Sequence, residues 1–233
     1  MFATTHWTMV LNAGSDSSEQ ASGALEELCR TYWCPIYGLS RMLGDSIEDA
    51  KDLTQGFFVE FIHKGLLAEA DPAKGRFRSY LHRCFQLYRS NEKQRQWAAK
   101  RGGGAQIIPI DEELGEQRLN AATVSTGSPE VVFDRCWALT VMDQAYREVE
   151  ADYGARDKGN LFDAIKAFLG GMGETAYGPA AASLGMSIEA TRAAVSRLRK
   201  QYRDAIRRQI ADTVLDPAKV DDEMAYLFEM LAA

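Results

Sequence analysis

Arg192, Arg199, Lys200, Arg203 and Arg207 fall within sixteen residues, interleaved with Val195, Leu198, Tyr202 and Ile206. The apolar members recur at helical spacing and define one buried stripe, which leaves the cations facing outward. Guanidinium and ammonium groups at this density suit phosphate oxygens and base edges. The residues just upstream sharpen this reading. Pro179 suits the first turn of a short helix, where its missing N–H costs little. Ala181, Ala182 and Leu184 are small or apolar, as a tight crossing of helices needs. Gly185 can take the left-handed conformation that ends the helix. Ser187 can cap the next helix, and Glu189 near its start favours the dipole. A short helix, a turn at Gly185–Ser187 and an arginine-rich helix make the pattern of a helix-turn-helix, whose second helix lies in a DNA major groove. The plainer alternative is a solvated basic helix on an ordinary helical protein.

A second row is acidic. Asp45, Asp49 and Asp52 are spaced four and three apart, and Gln55 continues the row. On a helix they share a face, while Leu53, Phe57 and Phe61 form an apolar row on another. Stacked carboxylates repel, so stability alone does not select them. One explanation is an acidic first turn favoured by the helix dipole. Another is a docking face for a basic partner. Paired catalytic carboxylates are a third, but no histidine, metal motif or pocket-forming loop accompanies them.

A third stretch, Arg76–Lys100, is again basic. Phe77, Leu81, Cys84 and Tyr88 make an apolar row. Arg78, His82, Gln86, Arg89, Lys93, Gln96 and Lys100 line another face. Basic residues interleaved with Tyr80, Phe85, Tyr88 and Trp97 suit a helix that tracks phosphates and offers rings to unpaired bases, although some of those rings must be core. Cys29, Cys34, Cys84 and Cys136 lack zinc-ligand spacing, and His6, His63 and His82 are isolated. The expectation is no catalytic centre, no metal and no cofactor, with cysteines reduced in a cytoplasm.

The charge is unevenly distributed. The formal net charge is -6. Lys74–Arg101 carries +8 and Arg192–Arg208 carries +6, so the remainder carries -20. An acidic body with two basic segments suggests two nucleic-acid contacts, with surface left over for a basic partner.

These segments need elements to position them. With 233 residues and 46% hydrophobic content, the chain supports one or two cores. No run approaches a membrane span, and Met1–Gly14 is not a convincing signal peptide. Strand signals are sparse: only Ile107–Ile110 looks extended, and Pro109 argues against a central strand. Helical periodicity covers roughly Ser17–Leu43, Ser46–Lys64, Arg76–Lys100, Pro129–Tyr153, Gly159–Leu169, the pair described above and Asp221–Leu231. The fold class is therefore all-α, with two helical domains and a flexible linker. The stretch 102–128 opens with three glycines and closes with Ser-Thr-Gly-Ser, a linker composition. The expected domains are 1–101, a linker 102–128, a helix-turn-helix domain 129–211 and an acidic extension 212–233. In that extension Met224, Leu227, Phe228 and Leu231 share one helix face. It is expected either to complete the core of the C-terminal module or to lay its acids over the basic helix Ser187–Arg208.

The order of these features resembles a bacterial RNA polymerase sigma factor of the extracytoplasmic-function type, in the branch with a C-terminal extension found in planctomycete-like genomes. The D-A-x-D-L-x-Q core at Asp49–Gln55 and the F-R-x-[WY]-L pattern at Phe77–Leu81 carry the likeness, which spans about Leu25–Arg208. The resemblance implies a transcription initiation factor without enzymatic activity. It assigns Asp49, Asp52, Leu53 and Gln55 to the polymerase. Arg76, Arg78, Tyr80, Arg83, Arg89, Asn91, Lys93 and Arg95 go to the -10 promoter element, with the loop Leu66–Gly75. To the -35 element go Ser187, Glu189, Thr191, Arg192, Ser196, Arg197, Arg199, Lys200 and Arg203. Partners would be core RNA polymerase and promoter DNA, with room for an anti-sigma factor or a regulatory kinase. Lys51 departs from the family pattern, as does the long Tyr146–Gly173 segment before the turn. The alternative is a helix-turn-helix regulator that works without polymerase, which would have no use for the acidic row.

Overall fold

The structure, a computed structural model, describes residues 19–67, 69–71, 76–98, 119, 128–171, 173–211, 214 and 217–232. No strand occurs among them, so the described fold is all-α. The Ile107–Ile110 stretch lies outside the described residues, as does the linker 102–128 apart from Leu119 and Ser128. The chain divides into two compact units: Met1–Thr140 with Ile210–Ala233, and Val141–Gln209. This division runs through a helix and joins the extension to the N-terminal unit, whereas composition suggested a break at the glycine-rich stretch.

The first unit contains α1 (Glu19–Met42), α2 (Ile47–His63), α3 (Phe77–Ala98), the start of α4 (Pro129–Ala155) and α8 (Val220–Ala232). Ser46 caps α2, its hydroxyl accepting from the Asp49 N–H at 3.0 Å. The apolar row of α2 then points inward, and Phe57, Phe58 and Phe61 are fully buried with Leu81 and Phe85 of α3. Phe57 meets Phe85 edge-to-face at 5.4 Å, a favoured arrangement of ring quadrupoles. Gly56 of α2 leaves room for the Tyr88 side chain of α3: a Cβ there would stand 2.3 Å from the Tyr88 hydroxyl.

Helix α8 buries Val220, Glu223, Met224 and Leu227. Phe228, expected on the same face, is 45% exposed. The buried set follows i, i+3, i+4, i+7 from Val220, one register away from the purely apolar reading, because Glu223 finds cations inside. Its partners are Arg78 of α3 and Arg76 just before that helix, and Arg135 Nε donates to the Met230 carbonyl at 2.9 Å. The extension thus completes the N-terminal unit, not the C-terminal module expected from the sequence.

The second unit contains the rest of α4, α5 (Gly159–Ile165) running into a 3-10 turn at Lys166–Gly170, α6 (Tyr177–Leu184) and most of α7 (Ile188–Ala211). Phe162 packs against Tyr146 and Tyr153, each at 5.4 Å. Gly185 ends α6 in the left-handed region at φ 62°, with its N–H on the carbonyls of Ala181 and Ala182. Ser187 then starts α7, its hydroxyl accepting from the Ala190 N–H at 3.1 Å. Val195, Leu198 and Ile206 are buried as the spacing predicts. Tyr202 is half-buried, and its hydroxyl donates to the Met142 carbonyl at 3.0 Å. Burial pushes its pKa up to about 12.

Candidate nucleic-acid interface

Helix α7 keeps its apolar stripe inside and leaves Arg192, Ser196, Arg197, Arg199, Lys200 and Arg203 exposed, with Ser187 and Glu189 exposed at its start. Hydrogen bonds from Glu189's own main chain, then from Ser187, hold its carboxyl below the usual range. Thr191 faces the other way. It is fully buried, and its hydroxyl donates to the Ser187 carbonyl at 3.0 Å, so it braces the first turn and does not share the outer face. Two arginines have tasks within the unit. Arg199 donates to the Phe168 carbonyl at 3.0 Å, and the Arg192 guanidinium lies 5.4 Å from the centre of the Tyr177 ring. Farther along, Arg208 pairs with Glu148 at 2.6 Å.

The cations of α3 are arranged differently. Arg78 is 5% exposed. Its Nε lies 3.0 Å from Asp134, its Nη1 pairs with Glu223, and the rings of Trp137 and Tyr226 flank it at 4.6 and 4.7 Å. Arg76 reaches the other oxygen of Glu223 at 2.6 Å. Tyr226 donates to Asp134 at 2.5 Å, and burial followed by that bond raises its pKa to about 12. At the other end, Arg89 donates to Asp45 at 2.5 and 2.8 Å and to the Leu43 carbonyl at 2.8 Å, and Lys93 reaches Asp45 at 2.7 Å. Ser40 completes this carboxylate at 2.6 Å. Burial by itself would raise the Asp45 pKa, but the hydrogen bonds from Arg89, Lys93 and Ser40 outweigh it and hold the group below its ordinary value. Arg78, Arg89 and Lys93 therefore join elements of the first unit, where the sequence reading had them lining an outer face. Arg95, 62% exposed, pairs with Glu92 at 2.6 Å.

Arg83 and Asn91 are exposed. Together with Tyr80, Tyr88, Lys64 and Arg76 they line a groove of about 420 Å³ between α2, α3 and the loop that follows α2. Tyr80 donates to the Leu66 carbonyl at 2.7 Å, holding its ring at the edge of that groove. Of the interleaved rings, Phe85 is core, Tyr80 and Tyr88 are half-buried, and the Trp97 side chain lies outside the described residues.

On α2, Asp49 and Asp52 are exposed and Gln55 is half-buried. Leu53 is 4% exposed and belongs to the core, as its place in the apolar row with Phe57 dictates. Asp45 is not on this face at all. It precedes the cap Ser46 and turns into the protein, a distinction the capping signal itself carries. Asp134, Glu223 and Tyr226 had no such local signal, since their partners are far away in sequence.

No protein-family model, curated protein or solved structure matches the chain. Among the described residues no cluster of His, Cys, Asp or Glu is set to hold a metal ion, and no helix is long and apolar enough to cross a membrane.

Proposed function

We propose that the chain is a sigma-type transcription initiation factor that binds core RNA polymerase through α2 and promoter DNA through α3 and α7. The observation that carries this reading is the exposed cationic row of α7, set directly behind a capped three-residue turn. Helices α6 and α7 then act as a helix-turn-helix that reads the upstream element. The exposed pair Asp49 and Asp52 supports a basic docking partner and separates this reading from a regulator that works without polymerase. Contacts to the downstream element fall to Arg83, Asn91 and the groove beside them, since Arg78, Arg89 and Lys93 are engaged internally. A half-exposed tyrosine pair beside exposed donors suits an unstacked base.

The test is run-off transcription with core polymerase on a library of genomic fragments. Promoter-directed transcripts that need the protein support the reading. Asp52→Lys should abolish co-purification with core enzyme at unchanged helicity. Sequence-specific duplex binding without transcripts or co-purification would favour the polymerase-independent regulator.

A further inference from the structure

We infer that Tyr177 is a positioning residue for Arg192, holding that guanidinium ready to read one base pair. This rests on the reading of α7 as the helix that meets duplex DNA. Arg192 stands one turn into α7 and is exposed, and its guanidinium lies over the Tyr177 ring at 5.4 Å. That separation is within the range in which a cation is attracted by a ring's negative face. The ring is itself held. Tyr177 is 8% exposed and stacks on Phe168, 1% exposed, with centres 4.5 Å apart and planes 28° from parallel. The chain at Phe168 is tied to α7 a second time, because its carbonyl accepts from Arg199 at 3.0 Å. Phe168 and Tyr177 thus form a shelf anchored to the same helix that carries Arg192.

An unrestrained arginine loses much rotamer freedom when it docks. A side chain already resting on a fixed ring loses less. Stacking engages the face of the guanidinium, whereas a bidentate contact to a guanine uses its edge. The two roles are geometrically compatible, and a lysine cannot combine them. Arg199 contributes to the shelf, so of the two arginines that touch it the structure assigns base reading to Arg192 and bracing to Arg199.

The test begins by selecting the preferred duplex of the wild-type full chain from a randomised pool, then measuring affinity for that duplex and a scrambled one by fluorescence anisotropy. Arg192→Lys, a surface change, should lose preference at one base pair by roughly tenfold while keeping the salt dependence. Tyr177→Leu should weaken the selected duplex by roughly threefold and leave the scrambled one unchanged, and Tyr177→Phe should restore the wild-type value. Combining Tyr177→Leu with Arg192→Lys should add nothing to Arg192→Lys alone. If Arg192→Lys keeps full preference, or if Tyr177→Leu weakens both duplexes equally, Tyr177 is only a core residue and the inference fails. If the wild-type chain selects no sequence, the reading of α7 falls first and the inference falls with it.

Discussion

Helices α3 and α7 are comparably rich in arginine and lysine, yet their cations end in different surroundings. On α3, Arg78 and Arg89 are turned inward, with Lys93 drawn to the same carboxylate as Arg89. On α7, Arg197, Lys200 and Arg203 stay exposed. The helices themselves do not decide this. Carboxylates delivered from elsewhere do: Asp45 from the α1–α2 turn, Asp134 from α4 and Glu223 from α8 all reach α3. A cation count on one segment therefore measures available charge, not surface charge. Only a helix whose neighbours bring few acids keeps its cations for another molecule.

The contrast is open to attack at both ends. The largest effect is expected at Glu223. Changing it to Ala leaves Arg78 buried with less than its full set of partners, and removing one member of a buried pair costs about 3–5 kcal/mol. Thermal unfolding should report that loss. The triple change Arg78→Met, Asp134→Asn and Glu223→Leu, which removes every charge that meets Arg78, should recover most of it, because well-packed apolar residues often replace buried ion pairs without penalty. If the single change is silent, α8 is not held by that pair.

Next comes Asp45→Asn, with partners that are more exposed and an expected loss of about 2–3 kcal/mol. Here pH gives a second readout. The Asp45 carboxyl is held below its ordinary 3.8, so its contribution is present above that value and fades as pH falls through the folded-state pKa. The melting temperature of the wild type should decline on acidification below about pH 4, and Asp45→Asn should flatten part of that decline. An unchanged acid profile would remove Asp45 from the account.

Ser187→Ala removes the cap of α7 and should cost about 1 kcal/mol, seen as a lower melting temperature for the second unit. The smallest effect on stability belongs to the triple change of Arg197, Lys200 and Arg203 to Ala, within about 0.5 kcal/mol. Its effect on duplex binding should be large, with the salt slope falling by about 2–3 if all three meet phosphates. A stability loss like that at Glu223 would erase the contrast between the helices.

Much of the local structure was legible in the sequence. The periodicity of α2 and α7, the Ser187 cap and the Gly185 turn all depend on residues within a few positions of one another, where helical geometry governs. The all-α class follows from the same signals. What stayed hidden is long-range. Arg78 and Glu223 are 145 positions apart, and no spacing rule links them. The α8 apolar face shows the limit most clearly: Phe228 fits the pattern and is exposed, while Glu223 breaks it and is buried. Thr191, which the resemblance assigns to DNA, is buried, since a hydroxyl on a basic helix can serve its own backbone as well as a ligand.

The first unit is assembled from stretches made early and late in synthesis. Residues of α1 to α3 leave the ribosome well before α8, and domains commonly fold in the order in which they emerge. Here that order is obstructed, because Arg78 cannot be neutralised by Glu223 until translation has passed residue 223. A nascent chain halted before α8 would leave Arg78 without Glu223 and without the Tyr226 ring that covers it. The region that contains the groove therefore reaches its final packing only once α8 has been made.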